Sequence, residues 1–86
     1  MKLLKFGAEW CGPCKTMRAV VEKALGKFPS LEFEDIDVED NIKLTEQYNI
    51  KNVPTFIIID KNENEIARTS GSLTQTKFEE WLQTNI

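Results

Sequence analysis

The stretch "FGAEWCGPCKTM", Phe6 to Met17, holds both cysteines of the chain, Cys11 and Cys14, with Gly12 and Pro13 between them. What surrounds it decides how the pair is read. Before it, Lys2 to Phe6 reads as a short strand. After it, from about Pro13 to Phe28, the apolar residues Met17, Val20, Val21, Ala24, Leu25 and Phe28 recur at helical spacing, with Lys15, Arg18, Glu22, Lys23 and Lys27 on the opposite side. Gly26 and Pro29 mark the end of that helix. The cysteines therefore lie at a strand-to-helix junction, and Pro13 suits the first helical turn, where a missing N–H costs nothing. Cys11 is placed under the free N–H groups and the positive end of the helix dipole, which favour a thiolate. Cys14, one turn further in, is placed to attack a mixed disulfide formed at Cys11.

Three other readings of the pair are weaker. A structural staple here closes a very short loop, worth about 2 kcal/mol in the chain-entropy model, the low end for a disulfide. A zinc site needs four ligands, and the chain has no histidine and no further cysteine. Two inert cysteines sit poorly beside Trp10, Gly12 and Pro13. A reactive pair, nucleophile and resolving thiol, fits best.

Working outward, "LEFEDIDV" (Leu31 to Val38) alternates roughly like a strand, and Asp40 or Asn41 can cap a short helix carrying Ile42, Leu44 and Tyr48, with Asn49 at its exit. "TFIIID" after Pro54 is a β-branched and aromatic run expected of a strand buried on both faces. "KNEN" (Lys61 to Asn64) is turn chemistry, and Glu65 to Thr69 returns as an antiparallel partner. Gly71 breaks the chain, and Thr74 can cap a last helix with Phe78, Trp81, Leu82 and Ile86 toward the core. The order is βαβαββα, an α/β fold whose first two strands, joined through a helix, should be parallel with a right-handed crossover.

At 86 residues the chain is expected to form one domain, 1–86, burying about 60–65% of its unfolded surface. A net charge of −3 argues against nucleic acid or an anionic membrane as the main partner. The absence of histidine removes the usual general base. No apolar run approaches the roughly 18 residues of a membrane span, and the signal-like start "MKLLKF" breaks at Lys5. A cytoplasmic location follows as the expectation, and there a purely structural disulfide is disfavoured.

"AEWCGPCK" (Ala8 to Lys15) resembles the active-site motif of the thioredoxin family. The resemblance continues through "DIDVED" (Asp35 to Asp40), "VPT" (Val53 to Thr55), Gly71 and "FEEWL" (Phe78 to Leu82), so it covers nearly the whole chain in order. It implies a minimal thioredoxin fold, a four-stranded mixed sheet of order 2-1-3-4 flanked by three helices. It also implies a monomeric thiol–disulfide oxidoreductase that reduces protein disulfides, with Cys11 attacking and Cys14 resolving from a buried position. Pro54 would be cis and leave the backbone of Val53 free to pair with an extended substrate. Trp10, Gly12, Pro13, Val53 and Gly71 would surround the attacking sulfur. No bound cofactor is expected beyond the redox-active disulfide, and an external NADPH-dependent flavin reductase would return the electrons.

Two departures stand out. The N-terminal strand and helix of longer thioredoxins are not represented, leaving a glutaredoxin-sized form with one uncovered sheet edge. And Lys5 stands where thioredoxins usually bury an Asp, six residues before the first cysteine, while Asp35 stands where bacterial thioredoxins often carry Lys. The expectation is an ion pair of reversed polarity beneath Cys14. A protonated Lys5 would favour the Cys14 thiolate, and would act as a base only if desolvated. Lys15 and Arg18 are read as a solvated helix face, as is the acidic run Glu32 to Asp40. Two alternatives to protein-disulfide reduction are a glutathione-coupled, glutaredoxin-like enzyme and a non-catalytic binding subunit. The first lacks, in "SGSLTQ" (Ser70 to Gln75), the Gly-Gly or Asp-rich turn that would hold glutathione's charged end.

Overall fold

The run Thr55–Ile59 is buried at all five positions, as its β-branched and aromatic composition requires of a strand covered on both faces. Around it the computed structural model, which describes residues 1–86, arranges β1 (Lys2–Gly7), α1 (Gly12–Leu25), β2 (Glu32–Asp37), α2 (Ile42–Gln47), β3 (Thr55–Ile59), β4 (Glu65–Ser70) and α3 (Gln75–Asn85). The sheet order is β2-β1-β3-β4. β1 and β2 are parallel, with Lys5 opposite Asp35; β1–β3 and β3–β4 are antiparallel. The mixed sheet and the three helices are those expected from the sequence.

Alternation along the central strands sorts the core into two layers. On one face Leu3, Phe56 and Ile58 pack under Met17, Val21 and Ala24 of α1 and Phe78 and Leu82 of α3. On the other, Leu4, Phe6, Ile57 and Ile59 meet Ile36 and Tyr48. Residues 3, 5 and 7 of β1 share the first face, so Lys5 and Gly7 project toward the layer that contains α1. No helix is long and apolar enough to cross a membrane.

The boundaries depart from the sequence reading in places with local causes. α1 stops at Leu25 rather than Phe28, because Lys27 and Phe28 donate to Ala24 and Leu25 carbonyls at 2.9 and 3.2 Å, tightening the last turn into i→i−3 bonds. Gly26, at φ −63°, stays right-handed rather than supplying a left-handed cap. Ile42 is exposed and so is Ile86, since α2 makes less than two turns and the chain leaves α3 at Asn85. Trp81 only flanks the core cluster that Phe78 and Leu82 enter. Asn49 ends α2 at φ +53°, the left-handed region its type tolerates.

α3 is held to α1 by polar contacts as well as by its apolar face. Gln75 Nε2 donates to the Val20 carbonyl at 3.0 Å, and Lys27 Nζ donates to Glu79 Oε1 at 2.8 Å. The Lys27 bond, with a second from Gln75, holds the Glu79 carboxyl below its ordinary range. Thr74 caps the helix, its hydroxyl accepting from the Lys77 N–H at 3.2 Å. Thr74→Ala should cost about 1 kcal/mol. In urea this appears as a lower midpoint at unchanged slope, and an unchanged midpoint would mean that the cap contributes nothing.

Candidate functional site

Cys11 is the N-cap of α1, with extended backbone (φ −87°, ψ 109°). Its Sγ accepts the Cys14 N–H at 3.1 Å, one of the four donors a helix start leaves without an internal partner. The loop that delivers it is closed by the Cys11 N–H donating to the Ala8 carbonyl at 3.2 Å. Pro13 lies in the first turn, where no N–H is needed. Cys14 is the third helical residue, and the two cysteines are joined as a disulfide with a Cα–Cα distance of 5.2 Å. No group of three or more His, Cys, Asp or Glu side chains is gathered as a metal site requires.

Both cysteines are buried in this disulfide form. They form a small cluster with Ala8, against which Val38 and Val53 pack. What distinguishes the two sulfurs is their surroundings. Cys11 sits between Trp10 and Gly12, both exposed, Trp10 by 68%. A Cβ at Gly12 would meet nothing within 4 Å, so the chain beside Cys11 is open to an approaching partner. Cys14 points inward: a Cβ on Gly7 would lie 3.2 Å from its Sγ, tighter than side chains normally tolerate. A side chain at position 7 would need the Cys14 sulfur to give way by a few tenths of an ångström.

The Val53–Pro54 peptide is cis, and Pro54 is fully buried. The Gly71 N–H donates to the Pro54 carbonyl at 2.9 Å, and Gly71 has φ +85°, a conformation glycine adopts freely. Thr55 Oγ1 donates to the Asn52 carbonyl at 2.7 Å, fixing the other side of the loop. Val53 and Trp10 line one shallow groove of about 400 Å³, together with Val38, Ile50 and Lys51.

Beneath the disulfide a second cavity of about 240 Å³ is lined by Lys5, Gly7, Cys14, Arg18 and Asp35, among others. The side chain of Lys5 is 4% exposed, and its Nζ lies 3.8 Å from Asp35 Oδ1, whose own side chain is 53% exposed. The reversed pair exists, then, with the cation inside and the anion half in solvent.

The structure thus gathers the sequence-derived residues into two groups that meet at the disulfide. Val53 packs against the cysteines and shares a groove with Trp10, Pro54 lies buried next to Val53 and is hydrogen-bonded to Gly71, and Lys5, Cys14 and Asp35 line the lower cavity. Gly7, Ala8, Val38 and Lys51 were not singled out from sequence. Gly7 had a signal: two residues beyond Lys5, it must share its face of the strand. Arg18, read as a solvated residue, is exposed yet lines the lower cavity.

Residues 1–84 match the family model described as Thioredoxin. The chain is 36% identical over 80 residues to "Thioredoxin C-3" of Corynebacterium nephridii, covering 93% of this chain and 54% of that protein. It is also 36% identical over 69 residues to a thioredoxin of Chlamydia pneumoniae, covering 80% and 67%. This chain therefore spans from about half to two thirds of the length of these relatives. Among solved structures it is similar to the germline-specific thioredoxin Deadhead of Drosophila (TM-score 0.89, 31% identity, 99% of this chain and 80% of that one). It is likewise similar to the thioredoxin of Fasciola hepatica (TM-score 0.88, 33% identity, 99% and 80%).

Proposed function

The chain belongs to the thioredoxin family, and on that premise we propose that residues 1–86 work as one monomeric domain that reduces disulfides in protein substrates through a Cys11/Cys14 dithiol–disulfide cycle. The observation that carries this reading is the placement of the pair: a disulfide at the start of α1, next to the Val53–Pro54 loop. In the reduced protein the Cys11 thiolate, stabilised by the helix N-terminus, attacks one sulfur of the substrate disulfide. The other substrate sulfur leaves with the bonding electrons and takes a proton. Cys14 then attacks Cys11, the second substrate sulfur leaves, and the internal disulfide remains.

The groove between Trp10 and Val53 supports an extended substrate segment lying across the rim, its backbone pairing with that of Val53. Electrons return from an external NADPH-dependent flavin reductase, and the cycle suits a reducing compartment such as the cytoplasm. No bound cofactor enters the chemistry, since the sulfur pair carries both electrons.

The test is the reduction potential of the pair, titrated against glutathione or dithiothreitol and followed by Trp10 fluorescence. A value near about −270 mV, the range of known thioredoxins, is expected. A value above about −200 mV moves the assignment to glutathione-coupled or isomerase-like work. If no reversible disulfide forms, the chain is a binding subunit with this fold.

A further inference from the structure

Lysine is rarely buried without a close partner, because removing an ammonium from water is costly. Lys5 is 4% exposed, and its nearest carboxylate oxygen, Asp35 Oδ1 at 3.8 Å, is beyond hydrogen-bond reach. Asp35 is more than half exposed, so its charge is largely answered by water. The Lys5 stem is buried, and its ammonium has no hydrogen-bonding partner in the protein and keeps contact with the water of the cavity. The group it shares a cavity with is Cys14, whose sulfur lies against Gly7, two residues along the same strand face.

The other charged groups around this space are Glu9 from the loop after β1, Arg18 and Glu22 from α1, and Asp35 and Asp37 from β2. Glu9, Arg18, Glu22 and Asp35 are exposed and Asp37 is half-buried, so solvent screens them more than it screens Lys5. Of the charged side chains lining the cavity shared with Cys14, that of Lys5 is the least exposed, and it is positive.

We propose that Lys5 is a positioning residue for the resolving step: its ammonium, held in the cavity it shares with Cys14, stabilises the thiolate of Cys14 in the reduced protein. This rests on the dithiol–disulfide reading above. When Cys14 gives up its proton to solvent through the cavity, the sulfur anion forms beside a fixed cation. It attacks the Cys11 sulfur of the mixed disulfide, the Cys11–substrate bond breaks, and the substrate sulfur leaves with the electron pair and is protonated by water. The dithiol is oxidised and the substrate reduced, with no carboxylate base required. Because the cation favours the reduced, ionised form and has no anion to favour in the disulfide, it also draws the equilibrium toward the dithiol as pH rises.

The measurement is the thiol–disulfide equilibrium of the full chain with glutathione from pH 6 to pH 9, for the wild type, Lys5→Met, Lys5→Arg and Asp35→Asn. Glutathione's own ionisation is common to all four and cancels in the comparison. Lys5→Met, which keeps length and removes charge, should shift the equilibrium toward the protein disulfide by about tenfold at pH 9, about 30 mV, and much less at pH 6, where less Cys14 thiolate forms. Lys5→Arg should restore the wild-type profile. Asp35→Asn, a half-exposed change that does not endanger folding, should shift it the other way by about twofold to threefold, since the offsetting anion is gone.

A Lys5→Met curve parallel to the wild type at every pH overturns the proposal. Should Lys5→Met fail to fold, Lys5→Gln decides, since its polar tip can stay in the watered cavity: a shift toward the disulfide that grows with pH supports the role, and no shift overturns it. A wild type that forms no reversible disulfide removes the dithiol reading itself. A wild type that cycles normally beside indifferent variants removes only the role of Lys5.

Discussion

Cys11→Ser is expected to abolish reduction of a protein disulfide, by about a thousandfold or more, while Cys14→Ser should stop the reaction one step later and trap its intermediate. A serine hydroxyl is not ionised near neutrality, so the first variant has no nucleophile to present at the rim. The second variant keeps Cys11 at the N-cap beside the open chain at Gly12, and only the inward-facing sulfur against Gly7 is lost. Its attack on substrate should proceed and leave a mixed disulfide that nothing resolves. Mass spectrometry should find that adduct on Cys14→Ser, released by dithiothreitol, and none on Cys11→Ser. Burial does not assign these roles, because both cysteines are buried in the disulfide, 5% and 3% exposed. The assignment rests on which sulfur has open chain beside it and which has a strand. An adduct on Cys11→Ser in place of Cys14→Ser would reverse the roles. Full function in the double variant would instead make the chain a binding module.

The reach of the sequence differs between the two sides of this site. The cysteine pair was legible because its signals are local. The two cysteines lie within one turn of a helix start and Pro13 announces that start, whereas Val53, Pro54 and Gly71 were joined to them only by the resemblance to the thioredoxin motif. The strands were legible for a related reason: five apolar or β-branched residues in β3 can satisfy burial on both faces only at the centre of a sheet. The lower cavity was only half legible. Lys5 and Asp35 are 30 positions apart, and they meet only because β1 and β2 pair in parallel with these two residues opposite each other. Their exchanged charges suggested a pair, but not that the cation would be inside and the anion outside. That asymmetry depends on β2 being the sheet edge, with Glu32 through Asp35 all exposed. Gly7 against Cys14 Sγ likewise needs the packing of α1 over β1, which no local pattern encodes. Helix ends failed for a simpler reason. Phe28 continues the apolar spacing of α1, but two i→i−3 bonds divert the backbone before it.

The largest single stability effect is expected at Phe78. It is fully buried, 5.0 Å from Phe56 in an edge-to-face contact and 5.9 Å from Trp81, and α3 buries only one other side chain completely, Leu82. Phe78→Ala removes the transfer energy of a ring and leaves a cavity between α3 and β3, a loss of about 3–5 kcal/mol. A domain of this size holds only about 4–13 kcal/mol in all, so the variant should stand near the edge of unfolding at 37 °C. The exposed Lys27–Glu79 pair cannot compensate, since such pairs contribute about 1 kcal/mol at most. The damage should also reach the site. α3 follows Gly71, whose N–H holds the Pro54 carbonyl, and the Leu73 N–H between them contacts Met17 Sδ at 3.3 Å. Loosening α3 therefore loosens the proline loop and α1 together. Urea titration should show a much lower midpoint for Phe78→Ala, and Ile42→Ala, at an exposed position of α2, should stay within about 0.5 kcal/mol of the wild type. Activity of Phe78→Ala should track the folded fraction, because no reacting group has been touched. Were Phe78→Ala to cost less than about 1 kcal/mol, α3 would not be anchored through this ring, and Gln75 and Thr74 would have to hold it instead.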